Sequence, residues 1–167
     1  MDDHPPLALT VLRPADLSDL PDLCRLEAAC FTSDRLSPRS WRHLIQSPGA
    51  DVAVALTQEC LVGAGVLLRR KRSSVGRIYS LAVDPAQRGR GLALGLLAHL
   101  ALLARRQGLT RLRLEVRPEN TAALQLYLAQ GFRPIGLSLG YYQDSGACLH
   151  LERQLEGSHA HAPDHRQ

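Results

Sequence analysis

The segment with the clearest chemistry is a turn of alternating arginine and glycine at residues 88–91, which read RGRG. It follows an apolar run at residues 78–83 and precedes a long helical pattern, so it opens a helix directly after a strand. Such a turn presents unpaired backbone N–H groups and the positive end of a helix dipole to an anion. Because glycine has no Cβ, a pyrophosphate can come close to the backbone at Gly89 and Gly91. We therefore predict an anion site here.

Two well-known phosphate motifs do not fit this arginine–glycine turn. A dinucleotide-binding fingerprint needs a third glycine where the sequence has Leu94. A P-loop needs Gly-Lys followed by Ser or Thr, and Lys71 is the only lysine of the chain. The alternative that stays open is a glycine-rich connection that only allows tight packing.

The periodicity of apolar residues predicts the elements that position the turn. Strict alternation over residues 111–117 places Leu112, Leu114 and Val116 on one face of a strand and charged residues on the other. Further strand-like runs are residues 7–13, 51–57, 61–69, 75–83, 132–137 and 147–155. Helical spacing is found at residues 16–31, 39–46, 89–107 and 120–130. The predicted fold class is α/β (α+β), a mixed sheet with helices on its faces.

Length and composition are those of one globular domain. The 167 residues are 45% hydrophobic and 22% charged, which excludes a disordered chain and a disulfide scaffold. A chain of this size can build a core without a metal or crosslinks. We predict a domain over residues 7–156, a flexible N-terminus at 1–6 and a disordered polar tail at 157–167. The tail holds His159, His161 and His165, and no metal site is predicted there or elsewhere.

The positive charge of the chain comes almost entirely from arginine. The net charge is +4, which favours an anionic partner, and the phosphates of a small cofactor would account for it. Only 4% of the residues are aromatic, so the chain has few platforms on which bases can stack. Nucleic acid is therefore not an expected partner.

Cysteine usage and hydropathy indicate a cytoplasmic protein. Its cysteines form no C-x-x-C pair, so we predict reduced thiols rather than disulfides or a zinc site at Cys24, Cys30, Cys60 and Cys148. The longest apolar run, residues 92–104, is interrupted by His99 and is shorter than the roughly 20 residues that span a bilayer. The first residues, MDDHPP, are acidic where a secretory signal would be basic. A membrane is not an expected partner.

The turn and a second segment resemble the GCN5-related N-acetyltransferase (GNAT) superfamily. The acetyl-CoA motif of that family is Gln/Arg-x-x-Gly-x-Gly/Ala, and residues 88–93 read RGRGLA after a strand and Asp-Pro. Residues 114–132, LEVRPENTAALQLYLAQGF, look like the corresponding segment of ribosomal-protein alanine N-terminal acetyltransferases. The resemblance extends over residues 9–155. It implies the GNAT acyl-CoA N-acyltransferase fold, a central and mostly antiparallel sheet with helices on both faces.

The same resemblance implies acetyl-CoA as the cosubstrate. Strand-edge backbone groups would hold the pantetheine arm, the turn would cradle the pyrophosphate, and the thioester would lie in a gap between the strand ending near Val83 and the strand of Glu115. The residues so assigned are Leu81, Ala82, Val83, Arg88, Gly89, Arg90, Gly91, Leu92, Ala93, Leu94 and Asn120. Asn120 also fits the alternative role of a helix N-cap. Ala93 stands where close relatives often have glycine.

Tyr127 occupies the position of the tyrosine that this family uses as a general acid. A phenol with a pKa near 10 stays protonated at pH 7, and a departing thiolate leaves more easily if it receives a proton. Tyr127 also lies within an apolar arc of its helix, so a core tyrosine with a tied hydroxyl is the alternative.

Glu115 matches the glutamate that is proposed as the base in the acetyltransferases this chain resembles. With an unperturbed pKa of about 4.3 it would be a weak base unless it is buried or acts through water. The alternative is a solvated ladder of charges with Arg113 and Arg117 on the same strand face. The sequence does not decide between the two.

The acceptor is expected between two loops, residues 31–40 and residues 139–146. The second loop carries Tyr141 and Tyr142, which resemble a tyrosine pair of N-terminal acetyltransferases and would bind a peptide backbone, or would only cover the sheet edge. Asp34, Ser37 and Trp41 are expected to line the region where the substrate is chosen. A covalent route through Cys148 and His150 is disfavoured, because side chains two apart on a strand are separated by about 7 Å.

The predicted function is acetyl transfer from acetyl-CoA to a primary amine by direct attack in a ternary complex. A protein or peptide N-terminus is favoured as acceptor, because roughly one α-amino group in ten is neutral at pH 7, against one lysine in a few thousand. The alternatives are a small-molecule amine as acceptor and, from another class, a non-catalytic acyl-CoA sensor or RNA-associated adaptor. A monomer or a homodimer is expected.

Overall fold

A computed structural model describes residues 9–156 of the chain. The strands are β1 (Thr10–Pro14), β2 (Ala50–Thr57), β3 (Cys60–Arg69), β4 (Val75–Val83), β5 (Arg111–Val116), β6 (Arg133–Ser138) and β7 (Cys148–Gln154). The α-helices are α1 (Leu20–Cys30), α2 (Pro38–Gln46), α3 (Leu92–Arg106) and α4 (Thr121–Ala129). Short 3₁₀ turns at Leu17–Asp19 and Pro85–Gln87 precede α1 and α3. The predictions for residues 1–6 and 157–167, including the tail histidines, lie outside the described residues.

The strands form one seven-stranded sheet in the order β1-β2-β3-β4-β5-β7-β6. Every neighbouring pair is antiparallel except β4 and β5, which are parallel. A parallel pair needs a crossover connection, and α3 supplies it between β4 and β5. The predicted mixed and mostly antiparallel sheet is therefore confirmed.

Helices cover both faces of the sheet. Side chains alternate between the two faces along β2, so Ala53 and Ala55 pack in the cluster that contains α3, whereas Val52 and Val54 pack with α1 and α2. The α3 side is filled by leucines and alanines that are at most 1% exposed, namely Leu96, Leu97, Leu100, Ala101 and Ala104. This arrangement confirms the predicted helices on both faces.

Strands β4 and β5 separate towards their C-terminal ends. They pair from Val75 with Arg111 to Ile78 with Leu114, and β4 then continues to Val83 without a further β5 partner in the described chain. The register of β3 against β4 also shifts here, so that Tyr79 is the extra residue of a bulge. The gap implied by the family resemblance is therefore present, with the backbone of β4 exposed along one side of it.

Two predicted helices begin later than expected. The α3 helix starts at Leu92 rather than at residue 89, because Gly89 and Gly91 adopt positive φ angles of 80° and 77°, outside the right-handed helical region. Residues 17–19 form a 3₁₀ turn, closed by a capping box between Asp16 and Asp19, before α1 begins. No helix within residues 9–156 is both long enough and apolar enough to cross a membrane.

Trp41 does not lie in the substrate region, so that prediction was wrong. Its side chain is 1% exposed and packs in the core cluster of α1, α2 and the sheet. Trp41 and Leu44 lie three residues apart on α2, so both face the core, and burying a large aromatic ring outweighs exposing it at the substrate entrance.

Candidate active site

A cavity of about 1040 Å³ lies where β4 and β5 separate. It is bounded by β4, β5, the N-terminal end of α3 and one face of α4. Two loops complete it, the α1–α2 loop (residues 31–37) and the β6–β7 loop (residues 139–147). Every residue predicted to bind the cofactor or to act in catalysis lines this cavity except Arg90, and so do Asp34, Tyr141 and Tyr142 of the predicted acceptor region. The structure therefore brings together predicted side chains that are far apart in the chain, from Asp34 to Tyr142.

The arginine–glycine turn has the geometry of an anion site. Gly89 and Gly91 have positive φ, and a Cβ at either position would meet nothing within 4 Å, so the glycines are required by backbone conformation rather than by space. Gly91 is the N-cap of α3, and the first N–H groups of a helix have no partner within it. Arg88 lines the cavity beside them. These groups fit the pyrophosphate that the sequence predicts.

The exposed side of β4 continues this site into the gap. Leu81, Ala82 and Val83 line the cavity, and Asp84 caps the 3₁₀ turn that leads to the arginine–glycine turn. The carbonyl oxygen of Val83 already accepts a hydrogen bond from Cys30 Sγ at 3.3 Å. Burial is the largest influence on this thiol and raises its pKa. The backbone carbonyl of Val83, one of the groups predicted to contact the cofactor, is therefore already hydrogen-bonded within the protein.

The ring of Tyr127 is buried, but its hydroxyl is not tied. The residue is 8% exposed, and its ring packs edge-on against Phe132 with centroids 5.7 Å apart. No group among residues 9–156 bonds the hydroxyl, and the hydroxyl is also not among the buried unpartnered atoms, so it opens onto the cavity. Burial raises the pKa of Tyr127 to about 12. The phenol of Tyr127 is therefore protonated at neutral pH, and Tyr127 lines the cavity.

Glu115 is partly buried and paired with Arg77 rather than with its strand neighbours. Its Oε2 accepts from Arg77 Nε at 3.0 Å, and its side chain is 17% exposed. Arg113 instead pairs with Glu152 at 2.6 Å, and Arg117 with Asp144 at 3.1 Å. The predicted ladder along one strand is therefore absent from the described chain. Neighbouring strands lie about 4.8 Å apart, closer than residues i and i+2 of one strand, so Glu115 and Arg113 pair with residues of the adjacent strands, and Arg117 pairs with a loop residue.

The tyrosine pair lies at the cavity, as predicted. Tyr141 and Tyr142 pack edge-on with centroids 5.0 Å apart, and the Tyr141 hydroxyl accepts from Arg77 Nη2 at 3.1 Å. Burial raises the pKa of both phenols. Arg77 therefore connects the Glu115 carboxylate to the β6–β7 loop.

The two loops meet across the cavity. Asp34 N donates to the side-chain oxygen Oε1 of Gln143 at 3.1 Å, and Gln143 N donates to Asp34 Oδ1 at 3.3 Å. This reciprocal pair joins the α1–α2 loop to the β6–β7 loop. The two loops that border this side of the cavity are therefore joined by hydrogen bonds.

Other predicted residues divide between structural and site positions. Asn120 caps α4 by accepting from Ala123 N at 3.2 Å and also lines the cavity, so the two predicted positions coexist. Ser37 caps α2 and does not line the cavity. Cys148 Sγ and His150 Nε2 approach to 4.0 Å, closer than predicted, but neither lines the cavity.

Two residues that were not predicted from the sequence, Arg77 and Glu27, also line the cavity. Glu27 is 4% exposed; its Oε1 accepts from Leu36 N at 2.9 Å, and its Oε2 has no partner. Burial raises its pKa. A signal for Glu27 was present, because it continues the apolar stripe of Leu20 and Leu23 at helical spacing. Arg77 had no local signal, since its partner Glu115 is 38 residues away.

Comparison with known proteins agrees with this site. The model of the acetyltransferase (GNAT) family matches residues 20–132. The chain is 34% identical to the N-alpha-acetyltransferase RimI of Mycobacterium tuberculosis, over 93% of this chain and 96% of that protein. An uncharacterized protein of Mycobacterium leprae is 36% identical over 91% of this chain, which spans only 42% of that protein's length. A putative ribosomal protein bS18-alanine N-acetyltransferase of Bacillus subtilis is 30% identical over 78% of this chain and 85% of its own.

Solved structures show the same fold. The ribosomal-protein-S18-alanine N-acetyltransferase of Escherichia coli has a TM-score of 0.81 at 20% identity, covering 92% of this chain and 99% of that chain. A chain of the NatC complex, solved with Gag peptide and CoA, has a TM-score of 0.75 at 25% identity, covering 88% and 99%. The enzymatic prediction is thus confirmed over the non-catalytic alternative. The chain belongs to the GNAT family of acetyltransferases and is an N-acetyltransferase that uses acetyl-CoA as its cosubstrate.

Proposed function

We propose that this enzyme acetylates the N-terminal α-amine of a protein or peptide. The observation that carries the proposal is the bridge between Asp34 and Gln143, which joins the two loops that border the cavity. We infer that this bridge narrows the entrance, so that the slender end of a chain can enter. Tyr141 and Tyr142 border that entrance and offer hydroxyl groups to a peptide backbone. The relatives named as N-alpha- and ribosomal-protein alanine acetyltransferases support the same acceptor class.

The cosubstrate is proposed to lie along the path from the turn to Tyr127. The N–H groups of Leu92, Ala93 and Leu94, with Arg88, receive the pyrophosphate at the positive end of α3. The exposed side of β4 receives the pantetheine arm, and the gap between β4 and β5 receives the thioester. Arg90 does not line the cavity, so its proposed role is only a long-range electrostatic attraction of the cofactor phosphates.

Tyr127 is proposed as the general acid. A hydroxyl with a pKa near 12 is protonated throughout the neutral range, so it is always ready to donate. A coenzyme thiolate with an ordinary thiol pKa near 8.5 leaves more readily when it receives that proton. The untied hydroxyl supports this role, because no bond within the described protein must be broken first.

Glu115 is proposed as the proton acceptor for the amine, directly or through one water. Its ion pair with Arg77 fixes the position of the carboxylate at the gap. At pH 7 roughly one α-amino group in ten is already neutral, so a weak base is sufficient for an N-terminal acceptor. A lysine acceptor would require a much stronger base.

The chemical step is direct attack in a ternary complex. The neutral amine nitrogen forms a bond to the thioester carbonyl carbon, and the carbon–sulfur bond then breaks. The nitrogen loses one proton to Glu115, and the sulfur gains one from Tyr127. The products are an acetylated amine and free coenzyme A, with no change of oxidation state and no acyl-enzyme.

A panel of acceptors tests the acceptor class. Release of free coenzyme A is measured with acetyl-CoA and peptides beginning with Ala or Ser, beside polyamines and aminoglycosides. The proposal expects the peptides to have the highest kcat/KM. Turnover of the small amines with none of the peptides would overturn it and support the small-molecule alternative.

For the compartment we propose the cytoplasm. Cys24, Cys30, Cys60 and Cys148 are all free thiols. Reduced thiols are the usual state in that compartment. The oligomeric state stays a prediction, a monomer or a homodimer, which light scattering on the purified chain measures.

A further inference from the structure

The side chain of Arg117 lies between the two loops that border the acceptor entrance. In the β6–β7 loop, its Nη1 donates to Asp144 Oδ1 at 3.1 Å, and its Cζ lies 4.0 Å from the centroid of the Tyr142 ring. In the α1–α2 loop, its Nη2 donates to Ser33 Oγ at 3.5 Å and lies 3.7 Å from Asp34 Oδ2. One guanidinium therefore contacts both loops at once.

The β6–β7 loop is shaped to receive this arginine. A Cβ on Gly146 would overlap Arg117 Nη1 and would lie 2.9 Å from Asp144 Oδ1, so a side chain at this position would displace the guanidinium from the carboxylate. Gly146 N also donates to Asp144 Oδ1 at 2.9 Å, which fixes the carboxylate that Arg117 contacts. The hydrogen bond from Arg117, followed by the one from Gly146 N, holds the pKa of Asp144 below its usual range.

Planar guanidinium chemistry suits this position. An arginine can stack on an aromatic face and donate to two acidic groups at fixed angles, whereas a lysine ammonium is a point charge that cannot do both. Arg117 uses its flat face on Tyr142 and its edge on Asp144 and Asp34. We name this set the loop clasp, and its members are Ser33, Asp34, Arg117, Tyr142 and Asp144.

We propose that Arg117 is a positioning residue that sets the width of the acceptor entrance and thereby selects for a slender N-terminal acceptor. The inference rests on the proposed function, because the acceptor is taken to enter between the two loops. Without the guanidinium, the loop that carries Tyr141 and Tyr142 loses its contacts with Arg117. It keeps the contacts of Gln143 with Asp34 and the hydrogen bond from Arg77 to Tyr141. The turn and Tyr127 are not contacted by Arg117, so acetyl-CoA binding and proton donation stay intact.

Kinetics of Arg117→Ala, beside Arg113→Ala, test this role. Arg113 is the matched control, because it lies on β5, which ends one residue before Arg117, pairs with Glu152 at 2.6 Å and does not line the cavity. We expect Arg117→Ala to raise the peptide KM about tenfold. The KM for acetyl-CoA and the thermal stability should match those of Arg113→Ala. The peptide KM of Arg117→Lys should lie between those of wild type and Arg117→Ala.

Two further measurements separate a clasp from a general structural effect. Arg117→Ala should increase acetylation of a lysine side chain in an N-terminally blocked peptide relative to wild type. The double variant Arg117→Ala with Asp144→Ala should raise the peptide KM by less than the combined effects of the two single variants, because the two residues share one contact. Equal peptide KM values for Arg117→Ala and Arg113→Ala, or an equal loss of acetyl-CoA affinity and of peptide affinity in Arg117→Ala, would overturn the proposal.

Amide hydrogen exchange tests whether Arg117 holds the β6–β7 loop, and it does so without relying on the identity of the acceptor. Exchange of residues 139–147 is expected to be faster in Arg117→Ala than in Arg113→Ala, and unchanged rates would exclude the clasp. If the wild-type enzyme acetylated no peptide, the proposed function would fail, while the exchange rates would still report whether Arg117 holds the loop.

Discussion

The guanidinium Nε of Arg77 lies 3.0 Å from Oε2 of Glu115, diagonally across the parallel strands β4 and β5. This pair lies one residue from Ile78 and Leu114, the last register pair before the strands separate, so it marks the point where the cavity begins. A second carboxylate, Glu152, has nearly the same side-chain exposure, 16% against 17%, and also pairs with an arginine, but it lies outside the cavity. The chain thus carries its own control for the role of Glu115.

We expect Glu115→Gln to lower kcat for an Ala-starting peptide by about 100-fold or more, because it removes the proton acceptor while keeping the shape of the side chain. Glu152→Gln should leave kcat within about twofold of wild type. Binding of acetyl-CoA, measured by calorimetry, should be unchanged in both variants. Equal losses of kcat in the two variants would assign Glu115 a structural role instead.

Tyr127→Phe should lower kcat by about 100- to 10,000-fold while acetyl-CoA still binds, because the ring stays packed against Phe132 and only the proton donor is lost. The free energy of unfolding should change by no more than about 0.5 kcal/mol, because no described group bonds the hydroxyl. Since the pKa of Tyr127 is about 12, wild-type kcat should show no loss from Tyr127 ionisation below about pH 11. A variant that keeps full kcat would remove Tyr127 from the mechanism.

Gly91→Ala should weaken acetyl-CoA binding and lower the free energy of unfolding by about 1–2 kcal/mol, because a residue with a Cβ is strained at a φ of 77°. Gly95→Ala is the matched control within α3. Its Cβ would meet nothing within 4 Å, and replacing a helical glycine should raise stability by about 0.5–1 kcal/mol. Calorimetric titration and thermal unfolding of both variants measure these effects. Equal acetyl-CoA affinity in the two would argue against the turn as the pyrophosphate site.

Glu27 predicts a specific dependence of stability on pH. Burial raises the pKa of Glu27 in the folded state, so the folded protein binds more protons than the unfolded one in the range above the unfolded pKa of about 4.3. Glu27 therefore increases the free energy of unfolding as pH falls from neutral towards that value. This stabilisation is lost as pH rises through the folded-state pKa of Glu27. Glu27→Gln cannot titrate and lacks this contribution.

Urea unfolding at about pH 7 and about pH 5 measures the effect. The stability of wild type relative to Glu27→Gln should increase at the lower pH. Glu119→Gln is the control, because Glu119 is exposed rather than buried. A wild-type minus Glu27→Gln difference that is the same at both pH values would contradict the assignment.

The parts of the site that could be predicted from the sequence are those with a local pattern. The arginine–glycine turn is short and contiguous, and its position after an apolar strand is enough to predict an anion site. Asn120 and Tyr127 lie within one helical segment, and the resemblance of residues 114–132 to the family implied their place at the site. The fold class followed from the alternation of residues along β5 and the apolar runs around it.

The parts that could not be predicted depend on which strands become neighbours. Arg77 pairs with Glu115 only because β4 and β5 are adjacent in the sheet, and no spacing along the chain indicates this. Trp41 was assigned to the substrate region from its position in the chain, whereas its helical spacing to Leu44 decides that it is buried. The clasp around Arg117 likewise joins residues from three separate segments.

Tandem mass spectrometry of one product tests directly whether the enzyme acetylates the N-terminal α-amine of a peptide. The wild-type enzyme is incubated with acetyl-CoA and a peptide that begins with Ala and also contains an internal lysine, and the acetylated nitrogen is located from the fragment ions. We expect the acetyl group on the α-nitrogen, and we expect Tyr127→Phe to form this product far more slowly. Acetylation of the lysine alone, or of neither nitrogen, would contradict the proposed N-terminal acceptor.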